Sequence, residues 1–479
     1  MVLKKVKMSE FILRQKVYMQ QLVKKLSQDY EYVSLLGTDV RGKNYGVQKK
    51  GVDYSDSIWT ERGFVIRVFN GTGYSEYSFN QIDFERLDEL TEKIKENLNR
   101  SISEVNSSYY KINEYPLIRE DNIKQSYQGE VEILPTEVTS EEKFKRLTEI
   151  KDNALKLSNY LVDFRIKYED VHTSKLFISN NKELEQSYVW SQGYLIAIIK
   201  KDNIIKYYYD GFSGLKGVEL ISEMEECYTN TVNNAEKLLE AERIEPGNYD
   251  VICTPDVAGI IAHEAFGHGV EMDMFVKNRA KAVEYIDKQV ASEKVTMHDN
   301  AATTRHVSSY LFDDEGVPGK DTIIIDKGIL KTGISDTLSA LKLGKEPSGN
   351  GRRESFERKA YARMTNTYFA AGEDNLEDMI VSIDYGYLLD TARSGMEDPK
   401  NWGIQCVVAI GKEIENGKLT GRIVSPVIMT GYVPELLKNI SMISKEVDLF
   451  GGGACGKGYK EYVKVSSGGP YIKTRARLG

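Results

Sequence analysis

Val257-Ala-Gly-Ile-Ile-Ala-His-Glu-Ala-Phe-Gly-His-Gly-Val-Glu-Met-Asp273 carries two of the chain's five histidines, His263 and His268. Glu264 directly follows the first, an apolar run leads in, and Gly267 and Gly269 bracket the second. Paired imidazoles beside a carboxylate suit a metal that activates water, with the carboxylate taking the proton. In the familiar His-Glu-x-x-His helix, both imidazoles share one face. Here the spacing is one residue longer, a rotation of roughly 140° on a regular helix. Both rings reach one ion only if the helix ends or tightens between them, which flanking glycines permit. The expectation is therefore His263 late in a helix and His268 at its irregular end. The alternative is that the two histidines serve packing or surface roles.

Two histidines leave a catalytic zinc one protein ligand short. Glu271, Asp273, His298, His306 and Cys455 are the options. The first two suit a helix end or the surface, and the two histidines lie in a polar, loop-like stretch facing solvent. Cys455 sits in Gly451-Gly-Gly-Ala-Cys-Gly-Lys-Gly458, where so many glycines imply close approach of another group. A thiolate suits zinc, although a small buried thiol is the commoner fate of a lone cysteine. The same loop contains most of a phosphate-binding pattern ending at Lys457. However, Gly458 replaces the required Ser or Thr, and residues 459–466 alternate like a strand instead of opening a helix.

Upstream, Pro246-Gly-Asn marks a turn before a buried strand over residues 249–254. We place the domain boundary there: 1–245 as an N-terminal α/β domain, 246–479 as a β-rich domain. The N-terminal part opens with a helix over residues 10–26, carried by Phe11, Ile12, Leu13, Val17, Leu22 and Leu26. Short Val-, Ile- and Tyr-rich strands follow at 30–36, 44–49, 63–69 and 73–79, then a helix at 84–98. Residues 101–138 read as a wrapping segment. A third helix near 140–157 precedes strands at 161–168, 174–179, 183–190, 194–200 and 204–209, so a helix plus meander occurs twice. A further helix is expected over 219–243. After 246 the chain is glycine-rich and strand-rich, which predicts a barrel- or sandwich-like domain carrying the metal site. The overall class is α+β.

With 479 residues, 41% hydrophobic and 28% charged, the chain has the composition of a soluble, multi-domain protein. A net charge of −8 argues against nucleic acid as the main partner. Cys227, Cys253, Cys406 and Cys455 are far apart and form no disulfide framework. No signal peptide or membrane-length apolar run is visible, so a cytoplasmic location is expected.

Three blocks then resemble the TldD/PmbA family, in its metal-bearing TldD branch. They are the segment from His263 to Glu271, the segment Pro347 to Ser355 with Arg363 to Tyr368, and the Cys455 loop. The resemblance implies a zinc metallopeptidase acting on peptides or unfolded segments, with one Zn2+ per active subunit. It implies His263, His268 and Cys455 as ligands and Glu264 as general base. It also implies pairing with a metal-free PmbA/TldE-like homologue, or with a second copy, around an enclosed site. The family's historical link to DNA gyrase keeps a rival in view: a non-catalytic, chaperone-like or gyrase-modulating subunit. Arg352 and Arg353 are candidates for binding a substrate carbonyl or carboxylate, or alternatively for an ion pair, for instance with Glu354. Thr365 and Asn366 are candidates for lining a peptide groove, or alternatively for a turn.

Overall fold

A computed structural model describes residues 2–106, 114–458 and 461–479. The expected wrapping segment and the expected strand over 459–466 thus each fall partly outside the described residues. The opening helix runs Glu10–Leu26, with the Ser9 hydroxyl accepting from the Ile12 N–H at 3.2 Å. It buries Ile12, Met19, Leu22, Val23 and Leu26. Leu13 and Val17, counted in the expected apolar face, are exposed. The buried stripe advances by three and four residues from Met19, and those two positions fall outside it.

The two helix-plus-meander units merge into one eight-stranded sheet. Its main path runs Ile204–Gly214, Lys182–Lys201, Leu161–Ser179, Val33–Gln48, Glu61–Phe69 and Tyr74–Phe79. The join is the antiparallel pairing of Val33–Gln48 with Leu161–Ser179, where Ser34 faces Ser179. Six strands expected from the sequence are really three long ones. The polar stretches read as breaks stay in the ladder, with Asp170 opposite Ser191 and Glu169 opposite Gln192. Gly193 belongs there because a Cβ would come within 2.4 Å of Met224 Sδ. Within the wrapping segment, Ile123–Gln128 forms a strand parallel to Lys182–Lys201.

The C-terminal region contains a closed five-stranded barrel. Gly247–Cys253 pairs in parallel with Tyr385–Asp398 and antiparallel with Ile472–Leu478. Gly403–Glu415 and Val427–Tyr432 complete the ring. Full closure removes the free edges that an open sheet would expose. A six-stranded sheet lies beside the barrel; Asn366–Phe369, Ser466–Gly469 and the edge strand Asp448–Phe450 are consecutive in it. The fold is α+β. No helix among the described residues is long and apolar enough to cross a membrane.

Candidate metal centre

Helix Pro255–Phe266 is wedged between the barrel and the six-stranded sheet. Pro255 opens it, where a missing N–H costs nothing. Val257, Ala258, Ile261, Ala262, Ala265 and Phe266 are fully buried. Burying each large side chain contributes roughly 1.5–3 kcal/mol. Gly259 allows the helix to ride on the sheet, since a Cβ would lie 2.6 Å from the Gly468 Cα.

The helix ends at Gly267, whose N–H bonds the His263 carbonyl, and a short 3-10 turn, His268–Val270, follows. That change of winding brings the two rings together, with centroids 5.1 Å apart and planes at 86°. The third donor arrives from strand Ala454–Lys457, paired with Glu461–Lys464. Arg363 fastens this hairpin, donating to the carbonyls of Cys455 at 2.5 Å and Glu461 at 3.1 Å. Donor atoms of His263, His268 and Cys455 all lie within 4.8 Å of one another.

That donor set fits a zinc-like ion. Zn–S and Zn–N bonds of about 2.3 and 2.1 Å put tetrahedral donors roughly 3.3–3.8 Å apart. Cys455 Sγ is 3.2 Å from His268 Nε2, and the 4.8 Å bound on the trio is only slightly wider. Electrostatics agree with the chemistry. Burial alone pushes the Cys455 thiol up, but the two imidazoles pull it well below its ordinary value. Burial likewise opposes a charged His268, yet Cys455 and Glu271 raise its pKa well above normal. Without an ion, the pocket favours a thiolate beside an imidazolium, and a cation replaces the proton.

Glu271 takes the outer position. Its Oε2 lies 3.3 Å from His268 Nδ1, which leaves Nε2 for the centre. Lys457 Nζ is 3.0 Å from Glu271 and 2.6 Å from Asp273, and Arg363 Nε is 3.8 Å from Glu271. Burial raises the Glu271 carboxyl, but Lys457, His268 and Arg363 together bring it down to about 2. Lys457 is therefore spent on a buried ion-pair cluster, and its strand continues as a hairpin; neither suits phosphate binding.

Glu264 and His263 line a cleft of about 810 Å³, whose other walls include Tyr194, Tyr209, Phe450 and Gly452. Gly395 of the barrel closes on Glu264, leaving no room for a Cβ (2.5 Å from Glu264 Cγ). Glu397, two residues on, was invisible in the sequence. Its carboxyl is pushed up to about 9, chiefly by burial, and neither oxygen has a hydrogen-bond partner among the described residues.

Other sequence candidates lie elsewhere. Thr365 and Asn366 are fully buried, not groove-lining. Thr365 Oγ1 donates to Asp299 at 2.7 Å, and Asn366 Nδ2 donates to Asn300 O, Thr304 Oγ1 and Ser309 Oγ. Arg352 donates to the Met364 carbonyl at 2.6 Å. Arg353 pairs with Glu76 of the N-terminal sheet at 2.5 Å, not with Glu354. His298 stacks on Tyr368 and bonds Asp321 at 2.8 Å. His306 is not solvent-facing: burial pushes its pKa down to about 4.

A family model described as the PmbA/TldA metallopeptidase C-terminal domain matches residues 246–476. A metalloprotease of Methanocaldococcus jannaschii is 29% identical over 430 residues, covering 87% of this chain and 90% of that one. A metalloprotease of Methanothermobacter thermautotrophicus is 30% identical, covering 66% and 69%. A protein named zinc metalloprotease TldD homolog, from Saccharolobus solfataricus, is 28% identical, covering 70% and 75%. Among solved structures, a protein described as a modulator of DNA gyrase from Thermotoga maritima superposes with a TM-score of 0.76 at 18% identity, covering 97% of this chain and 100% of that one. TldE from Thermococcus kodakarensis superposes at 0.72 and 18% identity, covering 96% and 100%. By sequence and fold, the chain belongs to the TldD/PmbA family of metallopeptidases.

Proposed function

We propose that this chain is a zinc-dependent peptidase that cleaves peptides or unfolded segments, with His263, His268 and Cys455 holding one ion and Glu264 as general base. One observation carries the reading: the three donors converge within 4.8 Å at the wall of a cleft that His263 and Glu264 both line. The metal bound there supplies a Lewis acid that polarises a carbonyl and acidifies water. Glu264 accepts the proton of the attacking water and delivers it to the departing amine nitrogen as the C–N bond breaks. Glu271 holds the His268 ring by its outer nitrogen, which keeps the other nitrogen facing inward.

The cleft suits an extended main chain. Edge strands of both sheets reach it, Ile204–Gly214 and Asp448–Phe450. Unpaired main-chain groups on such edges hold a peptide by its backbone and select weakly for sequence. We further propose that residues 1–245 and 246–479 are separate domains, that the chain works in the cytoplasm, and that it pairs with a metal-free homologue or with itself. A non-catalytic subunit has no use for a complete donor trio beside a carboxylate.

The test is Glu264→Gln, with metal content and cleavage of an unstructured peptide followed by mass spectrometry. The expected result is full metal with cleavage lowered roughly 10²–10⁴-fold. Undiminished cleavage overturns the reading.

A further inference from the structure

The glycine run ahead of Cys455 meets the other half of the molecule. The Tyr194 hydroxyl, on strand Lys182–Lys201, donates to the Gly452 carbonyl. The Gly451 N–H donates to Ser213 Oγ, on edge strand Ile204–Gly214, at 2.7 Å. Gly452 suits this approach, and Gly451 suits a second one, by Val307 of the C-terminal half. A Cβ on Gly452 would lie 2.3 Å from the Tyr194 oxygen, and one on Gly451 would lie 2.4 Å from Val307 Cγ2. A Cβ on Gly453 would meet nothing within 4 Å. The chain therefore docks at 451–452, passes one unconstrained residue, and enters the strand that presents Cys455.

Resting on the metal-site reading above, we propose that Tyr194 and Ser213 are positioning residues for the thiolate ligand. The N-terminal sheet thereby completes a metal centre whose ligands all come from the C-terminal half. Cys455 is held from its far side by Arg363 and by the hairpin. On its near side, the hydrogen bonds at Gly451 and Gly452 lie between the edge strand Asp448–Phe450 and the hairpin, so they fix where the ligand strand begins. Loop residues without such anchors sample many backbone states, and a ligand on such a loop loses affinity to that freedom. Tyr194 also lines the cleft and packs edge-on against Tyr209, with centroids 6.2 Å apart. A peptide in the cleft thus touches the same ring that holds the ligand loop.

The experiment titrates the metal-stripped full chain with cobalt(II). It reads both affinity, by chelator competition, and the intensity per bound ion of the thiolate-to-cobalt absorption band. Tyr194→Phe and Ser213→Ala are each expected to weaken binding roughly ten-fold, as outer-shell changes do. The band per bound cobalt should fall as well, while circular dichroism of the metal-free variants stays that of the parent chain. Ser213→Ala tests the Gly451 contact separately, so it remains decisive if the tyrosine variant fails to fold. Parent-like affinity and band in the folded variants overturn the positioning role and leave the metal site standing. A parent chain without any thiolate band overturns both.

Discussion

Cys455 Sγ lies 3.2 Å from His268 Nε2, while Nδ1 of the same ring faces Glu271 at 3.3 Å. One imidazole therefore joins two segments 187 residues apart to a buried carboxylate. With Nδ1 so engaged, Nε2 points to the same place as the sulfur. Cys455→Ala should lose more metal affinity than the roughly 10–100-fold that outer-shell changes cost. Metal content after dialysis against a weak chelator checks this; a fully loaded alanine variant would remove Cys455 from the ligand set.

Glu271 is the hub of a buried cluster, and its removal should be felt twice. Glu271→Gln leaves Lys457 with only Asp273 as a carboxylate partner and weakens the hold on the His268 ring by removing its charge. Breaking one side of a buried pair costs about 3–5 kcal/mol, and metal affinity should fall roughly 10–100-fold. The pH dependence has a definite sign. The folded carboxyl, at about 2, lies below its ordinary 4.5, so its stabilising effect is complete above 4.5 and is lost as pH falls toward 2. Urea unfolding of parent and variant should therefore converge between pH 4.5 and 2.

The local half of the site was legible because it is written locally. A histidine, a glutamate and a histidine bracketed by glycines announce both donors and the break in the helix that lets them meet. The partners of the donors were harder to find. Glu271 looked like an ordinary helix-end carboxylate, because the cations that claim it, Lys457 and Arg363, arrive from distant strands. Glu397 sits in a strand whose local pattern carries no signal; only folding places it beside the site. The same holds for the long strands. Polar residues such as Asp170 and Ser191 read as breaks because their cross-strand pairing cannot be seen in one sequence. The ion pair of Arg353 was hidden for a similar reason, since its partner Glu76 is 277 residues away.

Lys464 offers a pH test outside the metal site. Its amine is buried at 6% exposure, over the Trp190 ring at 4.9 Å. Burial pushes its pKa down from 10.5 to about 7, with Glu169 resisting. A folded lysine pKa below the unfolded one penalises the fold wherever the unfolded lysine is charged. The penalty is fully present below pH 7 and disappears as pH rises through 10.5. Lys464→Met should therefore raise stability near neutrality by at most on the order of 4 kcal/mol, less whatever its contacts with Gln192 and Trp190 supply. The gain should shrink toward pH 10. Denaturant melts at pH 7 and 10 read it directly, and an equal gain at both would contradict the assignment.

Glycines near the donor trio should separate into two kinds, and the separation tests why the histidine spacing works. At Gly267 a Cβ would lie 2.2 Å from the His263 carbonyl oxygen and 2.1 Å from Met364 Sδ. The sulfur ends a flexible side chain and can move. The carbonyl belongs to the backbone of His263 and already accepts the Gly267 N–H. Gly267→Ala must therefore open the turn that carries His268, at roughly 1–3 kcal/mol for an overpacked core site, and metal affinity should fall with it. Adding Met364→Ala relieves the sulfur clash at the expense of a cavity, and should return little affinity, because the carbonyl clash and the opened turn remain. Gly453→Ala, in open space two residues before Cys455, should change neither quantity. Thermal unfolding of the metal-free chains together with chelator competition distinguishes these outcomes. If Met364→Ala restored affinity in full, side-chain crowding would explain Gly267, and the helix break between the two histidines would need another cause.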